Sequence, residues 1–577
     1  MKTLLAAALL IMLSPLIYAQ KANITWGDEY KLKKGSTDLE VIFTDNTGVY
    51  VKESHFALKS YFVIGATTRE SATLTKLDKD LKEQYSNNFN KELKGKEYES
   101  FFFLKGKLFL LATDYSKKEK TLTLFGAEID KASGELAGEW AEITSWQKDD
   151  KKDDINFKAA YNADSSRMVL VSTIEGSDKN NYEIRQFNDK LQPVDKPIAI
   201  TNEFDPKTFQ LEDVVYTTNG NVVMIGREYE YQEGKKKKAK YLDFKNYSIR
   251  IYDATGKQVK EINTTINAKW LVSTKVMQLP SKELVLAAFY SDEKRGKEIN
   301  GMLVQRINPQ TGDILTTSQK DLNTSMISTI EDDNGDDDDD DESRKERKER
   351  EKLEKIQNEE DGFSRYMRFR NFIYTPDKGL VILAEKYNSY SYTTTTYQAG
   401  GVTGGGRWTS TTYQVYECGD IMMSKIDGDG NIKWLNVLPK QQREVIQTGS
   451  GSSPSGISFS FNYFQGGFNW PFYAGFGVLP AAGSLNLIFN DNKKNDNVLQ
   501  LGQKVKKISA YGKSDCFAVN LNTMTGKYSR AVLFNNKSVP TAMPRLSSVL
   551  GKDLYMIGKE DRMLGKTKIA IARMSIQ

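Results

Sequence analysis

The sequence has 577 residues, of which 81 are Lys or Arg and 76 are Asp or Glu, giving a formal net charge of +5. This near balance is typical of a solvated surface and gives no reason to expect a nucleic-acid partner. The single histidine and two cysteines exclude a histidine-rich metal site and a disulfide-stapled scaffold. The sequence does not decide whether Cys418 and Cys516 form a disulfide bond. We predict that His55 is an ordinary loop residue. We predict neither a metal nor a cofactor.

The N-terminus has the pattern of a secretory signal peptide. Lys2 is followed by the apolar run "LLAAALLIML" and then by "SPLIYAQ", which places cleavage after Ala19. The run is too short to span a bilayer comfortably, and no other long uncharged apolar segment follows. The sequence therefore predicts a mature domain at 20–577 that is exported to the periplasm or the cell exterior and has no transmembrane segment.

Short apolar segments recur along the mature chain, and most of them follow a tight turn preceded by another strand. They are 61–68, 108–115, 168–175, 222–229, 284–291, 380–387, 485–491 and 554–561. These segments are rich in Val, Ile, Leu and aromatic residues and show no sustained helical period. The pattern predicts an all-β protein built from about eight four-stranded antiparallel units, which is the architecture of a β-propeller. Two stacked β-sandwiches are the alternative.

A second recurring element is a turn in which Asp or Asn precedes a glycine between two strands. Its copies lie around Gly134, Gly256, Gly312, Gly430 and Gly526, with glycine-free versions near Asp78 and Asn188. The copy "KIDGDGNIKWL" resembles a calcium loop, because Asp427 and Asp429 alternate. An EF-hand loop counted from Asp427 needs glycine at its sixth position and glutamate at its twelfth, which are Ile432 and Leu438 here. We therefore predict a hairpin turn with no specific calcium requirement.

The two ends of the chain complement each other. The last unit, from Arg545 to Ile576, supplies only three strands. Residues near 24–32 can supply the fourth, and this pairing would cover both terminal strand edges. The sequence thus predicts a ring closed between its N-terminal and C-terminal strands.

Some of these turns resemble those of a known class of propellers. The hairpins at 253–256 and 308–312, and Trp434 after the turn in "KIDGDGNIKW", resemble quinoprotein-type (PQQ-like) eight-bladed β-propellers. This resemblance implies the fold. Quinone-dependent dehydrogenases of that class carry an adjacent cysteine pair, which this sequence lacks. The stretch 365–442 also resembles exported propeller-like proteins of gram-negative bacteria, a resemblance that implies no chemistry.

Two charged segments interrupt the repeat. Residues 331–361 contain six consecutive aspartates, Asp336–Asp341, predicted to be disordered, followed by a predicted exposed helix at 344–359. A solvated insertion is the expected role, with a loose cation site or a docking tail as alternatives. The lysine-rich 233–241 is predicted to be a loop tip between strands.

Two nearly uncharged insertions are the predicted binding region. Residues 387–417 alternate Tyr and Thr on both sides of a glycine-rich centre, which predicts a long hairpin. Residues 449–483 are dense in Phe, Tyr, Trp and Gly. Such side chains either pack beneath the loop or contact a sugar ring or a partner protein. The candidate binding residues are Trp408, Tyr463, Trp470 and Tyr473.

No catalytic residues are predicted. The sequence shows no isolated carboxylate pair, no complete P-loop and no GxSxG elbow. We therefore predict a non-enzymatic binding or interaction scaffold whose ligand is a glycan or an exported partner protein. The alternative is a propeller-based hydrolase or lyase acting on extracellular polysaccharide. The sequence does not indicate the oligomeric state.

Overall fold

The computed structural model describes fourteen stretches of the chain. They are residues 22–31, 36–60, 66–148, 154–176, 179–205, 207–233, 240–263, 269–293, 299–321, 367–398, 407–450, 471–500, 503–560 and 568–576. The predicted signal peptide at 1–19, the charged insertion at 331–361 and the candidates Tyr463 and Trp470 lie outside these stretches.

Thirty-four strands in the described residues form eight antiparallel sheets. The N-terminal strands are β1 (Ala22–Trp26) and β2 (Tyr30–Lys31). The first blade is β3 (Ser36–Asp45), β4 (Gly48–Ser60), β5 (Ala66–Leu77) and β6 (Glu83–Asn88), and the second is β7 (Glu97–Leu104), β8 (Lys107–Ser116), β9 (Thr121–Ile129) and β10 (Ala141–Gln147). The third is β11 (Asp154–Tyr161), β12 (Arg167–Glu175), β13 (Asn180–Asn188) and β14 (Ile198–Ala199), and the fourth is β15 (Phe209–Tyr216), β16 (Val222–Glu233), β17 (Lys240–Tyr252) and β18 (Gln258–Asn263).

The remaining blades follow the same order. The fifth is β19 (Trp270–Gln278), β20 (Leu284–Ser291), β21 (Gly301–Ile307) and β22 (Ile314–Asp321), and the sixth is β23 (Arg368–Tyr374), β24 (Leu380–Gln398), β25 (Arg407–Ile426) and β26 (Ile432–Leu438), with β27 (Gln442–Ser450) added to β25. The seventh is β28 (Gly477–Ala481), β29 (Ser484–Asp491), β30 (Asp515–Asn522) and β31 (Tyr528–Asn535), and the eighth is β32 (Thr541–Leu550), β33 (Asp553–Glu560) and β34 (Lys568–Ile576). Two short 3-10 helices, Lys493–Asn495 and Tyr511–Lys513, lie between β29 and β30.

The eight sheets are the blades of a β-propeller, which confirms the predicted fold and rules out the stacked sandwiches. The strands of each sheet are hydrogen-bonded in chain order, and the first strands of neighbouring blades contact each other, as in β15 with β19 and β28 with β32. This contact places the first strands innermost, around the propeller axis. The core fills the space between blades, since one hydrophobic cluster joins β20 and β21 to β24 and β25.

The predicted apolar segments are the second strands of seven blades. They are continuous apolar runs because both of their faces are covered, as in β20, where every residue is buried. The first blade differs from this arrangement, and only 66–68 of its predicted segment 61–68 lie among the described residues. Its second strand is β4, where Val49, Tyr50 and Val51 are buried, and residues 66–68 already begin β5. His55 was predicted to be a loop residue but lies within β4.

The ring closes as predicted, through the N-terminal strand. β1 pairs antiparallel with β34, from Ala22 opposite Ile576 to Trp26 opposite Ala572. β2 continues this pairing, with Tyr30 opposite Ile569. The N-terminus thereby supplies the fourth strand of the last blade.

The recurring Asp/Asn turn connects the third and fourth strands of a blade, so the hairpin prediction is confirmed. In the copy at Asp427, Oδ1 accepts hydrogen bonds from the backbone N–H of Asp429 (3.0 Å) and Asn431 (2.8 Å), and Lys433 Nζ lies 2.9 Å from Oδ2. Burial opposes ionisation of this carboxyl, but these hydrogen bonds outweigh it and lower the pKa of Asp427 to about 2. The carboxylate is therefore engaged within its own turn. The eighth blade lacks this turn because its fourth strand is β1.

The turn glycines also allow neighbouring blades to approach closely. In five blades the glycine has positive φ and lies against the fourth strand of the preceding blade, so that Gly134 faces Tyr85, Gly256 faces Ile198, Gly312 faces Lys260, Gly430 faces Thr316 and Gly526 faces Trp434. A Cβ at position 526 would lie 2.8 Å from Cδ2 of Trp434. This contact gives Trp434 a structural role between blades six and seven, where its Nε1 also donates to Thr523 O (3.3 Å).

We expect Gly526→Ala to lower the free energy of unfolding by about 2–4 kcal/mol, because it combines a strained positive φ with a clash against Trp434. The matched control is Gly551→Ala. Gly551 also has positive φ, but a Cβ there meets nothing within 4 Å. The control should cost about 1 kcal/mol, from backbone strain alone. Denaturant unfolding of both variants measures the difference, and equal losses would show that the contact between blades contributes nothing.

The two cysteines are free and buried, so they do not form the disulfide bond that the sequence left undecided. Cys418 packs with Tyr387 and Tyr416, whereas Cys516 belongs to a separate cluster with Ile488. Burial raises the pKa of the Cys418 thiol to about 12. Both thiols are therefore unreactive core groups at neutral pH.

Candidate functional site

The two faces of the propeller differ in the lengths of their connections. One face carries the turns from first to second strand and from third to fourth strand. The other carries the connections from second to third strand and from one blade to the next, and the three longest connections, 322–367, 451–476 and 492–514, all belong to it. We name this second side the insertion face, and because loops on a rigid scaffold carry most binding sites, it is the candidate functional surface.

The predicted long hairpin at 387–417 is confirmed and stands on the insertion face of blade six. β24 and β25 pair within the blade up to a bulge between Glu385 and Tyr387, and then continue to Gln398 opposite Arg407. The rings of Tyr392 and Tyr413 stack across the hairpin, with centroids 5.1 Å apart. Trp408 lies on β25, paired through its backbone with Tyr397, and its side chain is outside the described set.

The second predicted insertion, 449–483, joins blades six and seven, but its boundaries were too wide. Its first residues belong to β27, which pairs with β25 and widens the hairpin to three strands. Its last residues form β28, the innermost strand of blade seven. Of the candidates within it, only Tyr473 is among the described residues. The two insertions lie on neighbouring blades, as predicted.

A cavity of about 760 Å³ opens beside Tyr473 on the insertion face. It lies among blades six, seven and eight, and its walls include Glu444, Phe472, Tyr473, Tyr511 and Lys559. Ser509, Ser538, Thr541, Glu29 and Glu560 add polar groups to the lining. A concave site of this size, with aromatic walls and a few polar groups, has the character of a small-ligand site.

Tyr473 is held rigidly at this cavity. Its N–H donates to Glu444 Oε2 (2.7 Å), and its carbonyl accepts a hydrogen bond from Asn490 Nδ2 (3.1 Å). Its ring stacks on Tyr511, with centroids 5.5 Å apart and an interplanar angle of 23°. Lys559 Nζ lies 5.8 Å from the Tyr473 centroid. Because the side chain is half-buried, one aromatic surface is fixed in place and still partly accessible.

Glu444 fixes the backbone that carries Tyr473. Its carboxylate accepts hydrogen bonds from the N–H groups of Phe472 (2.9 Å), Tyr473 (2.7 Å) and Ala474 (2.9 Å). Burial raises the pKa of Glu444, and these three hydrogen bonds only partly offset that effect. Nothing in the sequence singles out Glu444, because "QREVIQTGS" has the pattern of an ordinary alternating strand.

A buried polar network connects blade six to blade seven beneath this cavity. Lys440 Nζ donates to Glu385 Oε1 (2.7 Å) and to Gln442 Oε1 (2.6 Å), and Gln442 Nε2 donates to Asn490 O (2.7 Å). Lys440 and Glu385 are at most 1% exposed. The network also binds the chain near Tyr473, since Gly475 N–H donates to Gln442 Oε1 (2.8 Å). Buried, hydrogen-bonded charges thus link two of the blades that surround the cavity.

Several arginines lie on or beside the inner strands, where the sequence predicted no site. Arg227 donates two hydrogen bonds to Glu212 (2.8 and 2.9 Å), and Arg370 donates one to Glu385 (2.9 Å). Arg545, on the innermost strand of blade eight, donates to the carbonyl of Pro471 (2.8 Å). Charged side chains of blades four, six and eight therefore lie on or next to the strands that surround the axis.

The described part of the chain contains no helix with the length and hydrophobicity of a membrane span. Within the same residues, no group of three His, Cys, Asp or Glu side chains could hold a metal ion.

The strand order defines the class of the protein, an eight-bladed β-propeller. The chain is similar to the β-propeller domain of the Trilobed protease from Pyrococcus furiosus, with 7% identity, 87% of this chain and 97% of that chain covered, and a TM-score of 0.31. An α-L-arabinanase from Penicillium chrysogenum complexed with arabinobiose is 8% identical over 52% of this chain and 98% of its own, with a TM-score of 0.27. Prolyl oligopeptidase B from Galerina marginata is 11% identical over 64% of this chain, and the match spans only 37% of that protein, with a TM-score of 0.26.

Similarities this low carry no argument about activity, and they do not distinguish the quinoprotein type from other propellers. No family model matches the chain, and no curated protein matches it.

Proposed function

We propose that the protein is an exported binding propeller that holds a glycan in the cavity beside Tyr473 without converting it. The N-terminal sequence supports export. The observation that carries the binding proposal is the fixed, half-buried ring of Tyr473 in the wall of a cavity of about 760 Å³. A ring that is already immobilised loses little conformational entropy when a ligand stacks on it.

The composition of the cavity wall favours a sugar. Tyr473 and Phe472 offer flat apolar surfaces of the kind that pack against the C–H face of a pyranose. The hydroxyls of Ser509, Ser538 and Thr541 stand around them as hydrogen-bonding groups for ring hydroxyls. A broad protein interface would need a flatter and larger apolar patch. The concave shape of the cavity therefore favours a glycan over a partner protein.

An array of defined oligosaccharides probed with the wild-type protein should identify a bound glycan. For that glycan we expect Tyr473→Ala to weaken binding by about 2 kcal/mol, which is roughly a thirtyfold increase in Kd. Calorimetric titration below the melting temperature measures the affinity, and a thermal scan measures the stability of each variant.

The matched control is Tyr392→Ala. Tyr392 also stacks on another tyrosine, in the hairpin rather than at the cavity, so the substitution should lower stability to a similar extent and leave the affinity unchanged. If Tyr473→Ala melts earlier but binds the glycan normally, Tyr473 serves only packing and the proposed site is wrong.

A hydrolase or lyase acting on polysaccharide is the second candidate, and Glu444 is the observation that favours it. A buried carboxyl with a raised pKa in a cavity wall has the property of a general acid. Its three backbone hydrogen bonds argue instead for a structural role. Release of reducing ends from the array glycan by the wild type, abolished in Glu444→Gln, would favour the enzyme over the binding scaffold.

A further inference from the structure

A group of arginines near the propeller axis contains one member that lacks a carboxylate partner in the described residues. Arg227 is paired with Glu212, and Arg370 is paired with Glu385. Arg368, at the start of β23, forms no ion pair or hydrogen bond with any residue in the stretches that the structure describes, and its side chain is exposed to solvent. The pairing seen at its two neighbours is therefore left incomplete at Arg368.

Arg368 is nevertheless held in a defined position. Its guanidinium lies 4.8 Å from the centroid of the Tyr387 ring, and the guanidinium of Arg370 lies 4.9 Å from the same centroid. Tyr387 itself is 2% exposed and belongs to the cluster that includes Tyr511 and Tyr473. A cation stacked on a buried aromatic ring is oriented before any ligand arrives, which lowers the entropic cost of binding an anion.

Two other arginines act electrostatically on Arg368. Partial desolvation, together with the charges of Arg370 and Arg227, lowers the pKa of the Arg368 guanidinium, and Tyr387 and Glu212 oppose this effect. Arg227 belongs to blade four and Arg368 to blade six, so positive charges from two blades act on this guanidinium. An anionic group would relieve this repulsion, and a carboxylate matches the planar fork of a guanidinium.

The same arginines are linked to the cavity. Arg545 is electrostatically coupled to Arg370 and Glu385, and it donates to the carbonyl of Pro471, two residues before Tyr473. Arg368 at the start of β23 lies opposite Glu385 of β24, at the point where β24 leaves the blade and enters the long hairpin. Both positions lie on the insertion face. A ligand at the cavity and a charge at Arg368 therefore share one side of the protein.

We propose that Arg368, supported by Arg370 and Tyr387, binds the carboxylate of a uronic acid on the insertion face. The choice of a sugar rests on the proposed function, whereas the choice of a carboxylate rests on the arginines alone. The ligand is therefore expected to be an acidic rather than a neutral glycan.

The test uses two probes with the same sugar backbone, the α-1,4-linked trimer of galacturonate and the same trimer with every carboxylate converted to its uncharged methyl ester. Titration of the full-length protein should show the acid binding at least about tenfold more tightly than the ester, as a charged hydrogen bond predicts. Arg368→Gln should abolish that preference and leave the melting temperature unchanged, because the side chain is exposed. Raising the salt concentration should weaken the preference in the wild type.

The matched control is Lys378→Gln, which removes the same charge from the opposite face of the same blade, where Lys378 is exposed in a turn. It should keep the preference for the acid. N-acetylaspartate, an acid without a sugar, tests the carboxylate part of the proposal separately from the sugar part. If it binds as tightly as the galacturonate trimer, Arg368 binds a carboxylate but the ligand is not a sugar. Equal affinities for acid and ester, or a preference that survives Arg368→Gln, would overturn the site. Tyr473→Ala should weaken acid and ester alike, so failure of the proposed function is seen separately.

Discussion

Lys440→Met is expected to lower the free energy of unfolding by about 3–5 kcal/mol, because it leaves the buried carboxylate of Glu385 with one cation fewer. Lys440 is fully buried and 2.7 Å from that carboxylate, and methionine occupies a similar volume without the charge. Urea unfolding followed by tryptophan fluorescence measures the loss. The variant should also be more sensitive to acid than the wild type.

The expected pH dependence follows from Glu385. Burial opposes its ionisation, but Lys440 and Arg370 outweigh this and hold the pKa of Glu385 below its ordinary value of 4.5. A carboxyl with a lowered pKa stabilises the fold above 4.5, and that contribution is lost as the pH falls further. Loss of Lys440 should shift acid unfolding to higher pH.

The control for this substitution is Lys433→Met. Lys433 is also paired with a carboxylate, that of Asp427, at 2.9 Å, but it is 58% exposed. Exposed ion pairs contribute about 1 kcal/mol or less, so this variant should unfold almost like the wild type. Similar losses in the two variants would contradict the burial of the Lys440 network.

Trp26→Ala is expected to cost about 3 kcal/mol and to broaden the unfolding transition, because Trp26 anchors the strand that closes the ring. Its ring lies so close to Gly558 that a Cβ there would be 2.4 Å from Cζ3 of Trp26. It also contacts Phe534 of blade seven edge-on, with centroids 6.1 Å apart. Removing it opens a gap between the last two blades.

The control is Thr25→Ala on the same strand, where the side chain is exposed and the change should stay within about 0.5 kcal/mol. Calorimetry of both variants makes the comparison. If Trp26→Ala is as mild as Thr25→Ala, β1 does not hold the ring together.

The fold could be predicted from the sequence because its signals are local. A second strand buried on both faces must be apolar throughout, as in "LVLAAFYS" at 284–291, and a tight hairpin needs glycine or Asn at fixed places. The two turns without glycine, near Asp78 and Asn188, were also predicted as turns. In the structure Leu81 and Leu191 adopt the positive φ there. The signal is weaker in the first blade, because β4 has a mixed sequence and the end of the apolar segment 61–68 belongs to β5.

The candidate site could be predicted only in part, because its residues meet through ring closure. Tyr473 was predicted as a candidate because aromatic residues are rare in solvated loops, and the structure places it in a cavity wall. Glu444 and Tyr511 come from segments 67 residues apart that contact each other only once blades six and seven are adjacent. Arg368 and Arg370 read as alternating surface charges in "RYMRFRNF". Their one local signal is that they fall on a first strand, which in a propeller lines the axis.

The most direct test of the binding face is hydroxyl-radical footprinting of tyrosines with and without the glycan identified on the array. Tyr473 lies at the cavity, whereas Tyr161 and Tyr374 are exposed at the ends of first strands, on the opposite face. We expect the glycan to reduce oxidation of Tyr473 severalfold and to leave Tyr161 and Tyr374 unchanged. Unaltered oxidation of Tyr473 at saturating glycan, or protection of Tyr161 or Tyr374 instead, would contradict the assignment of the insertion face as the binding surface.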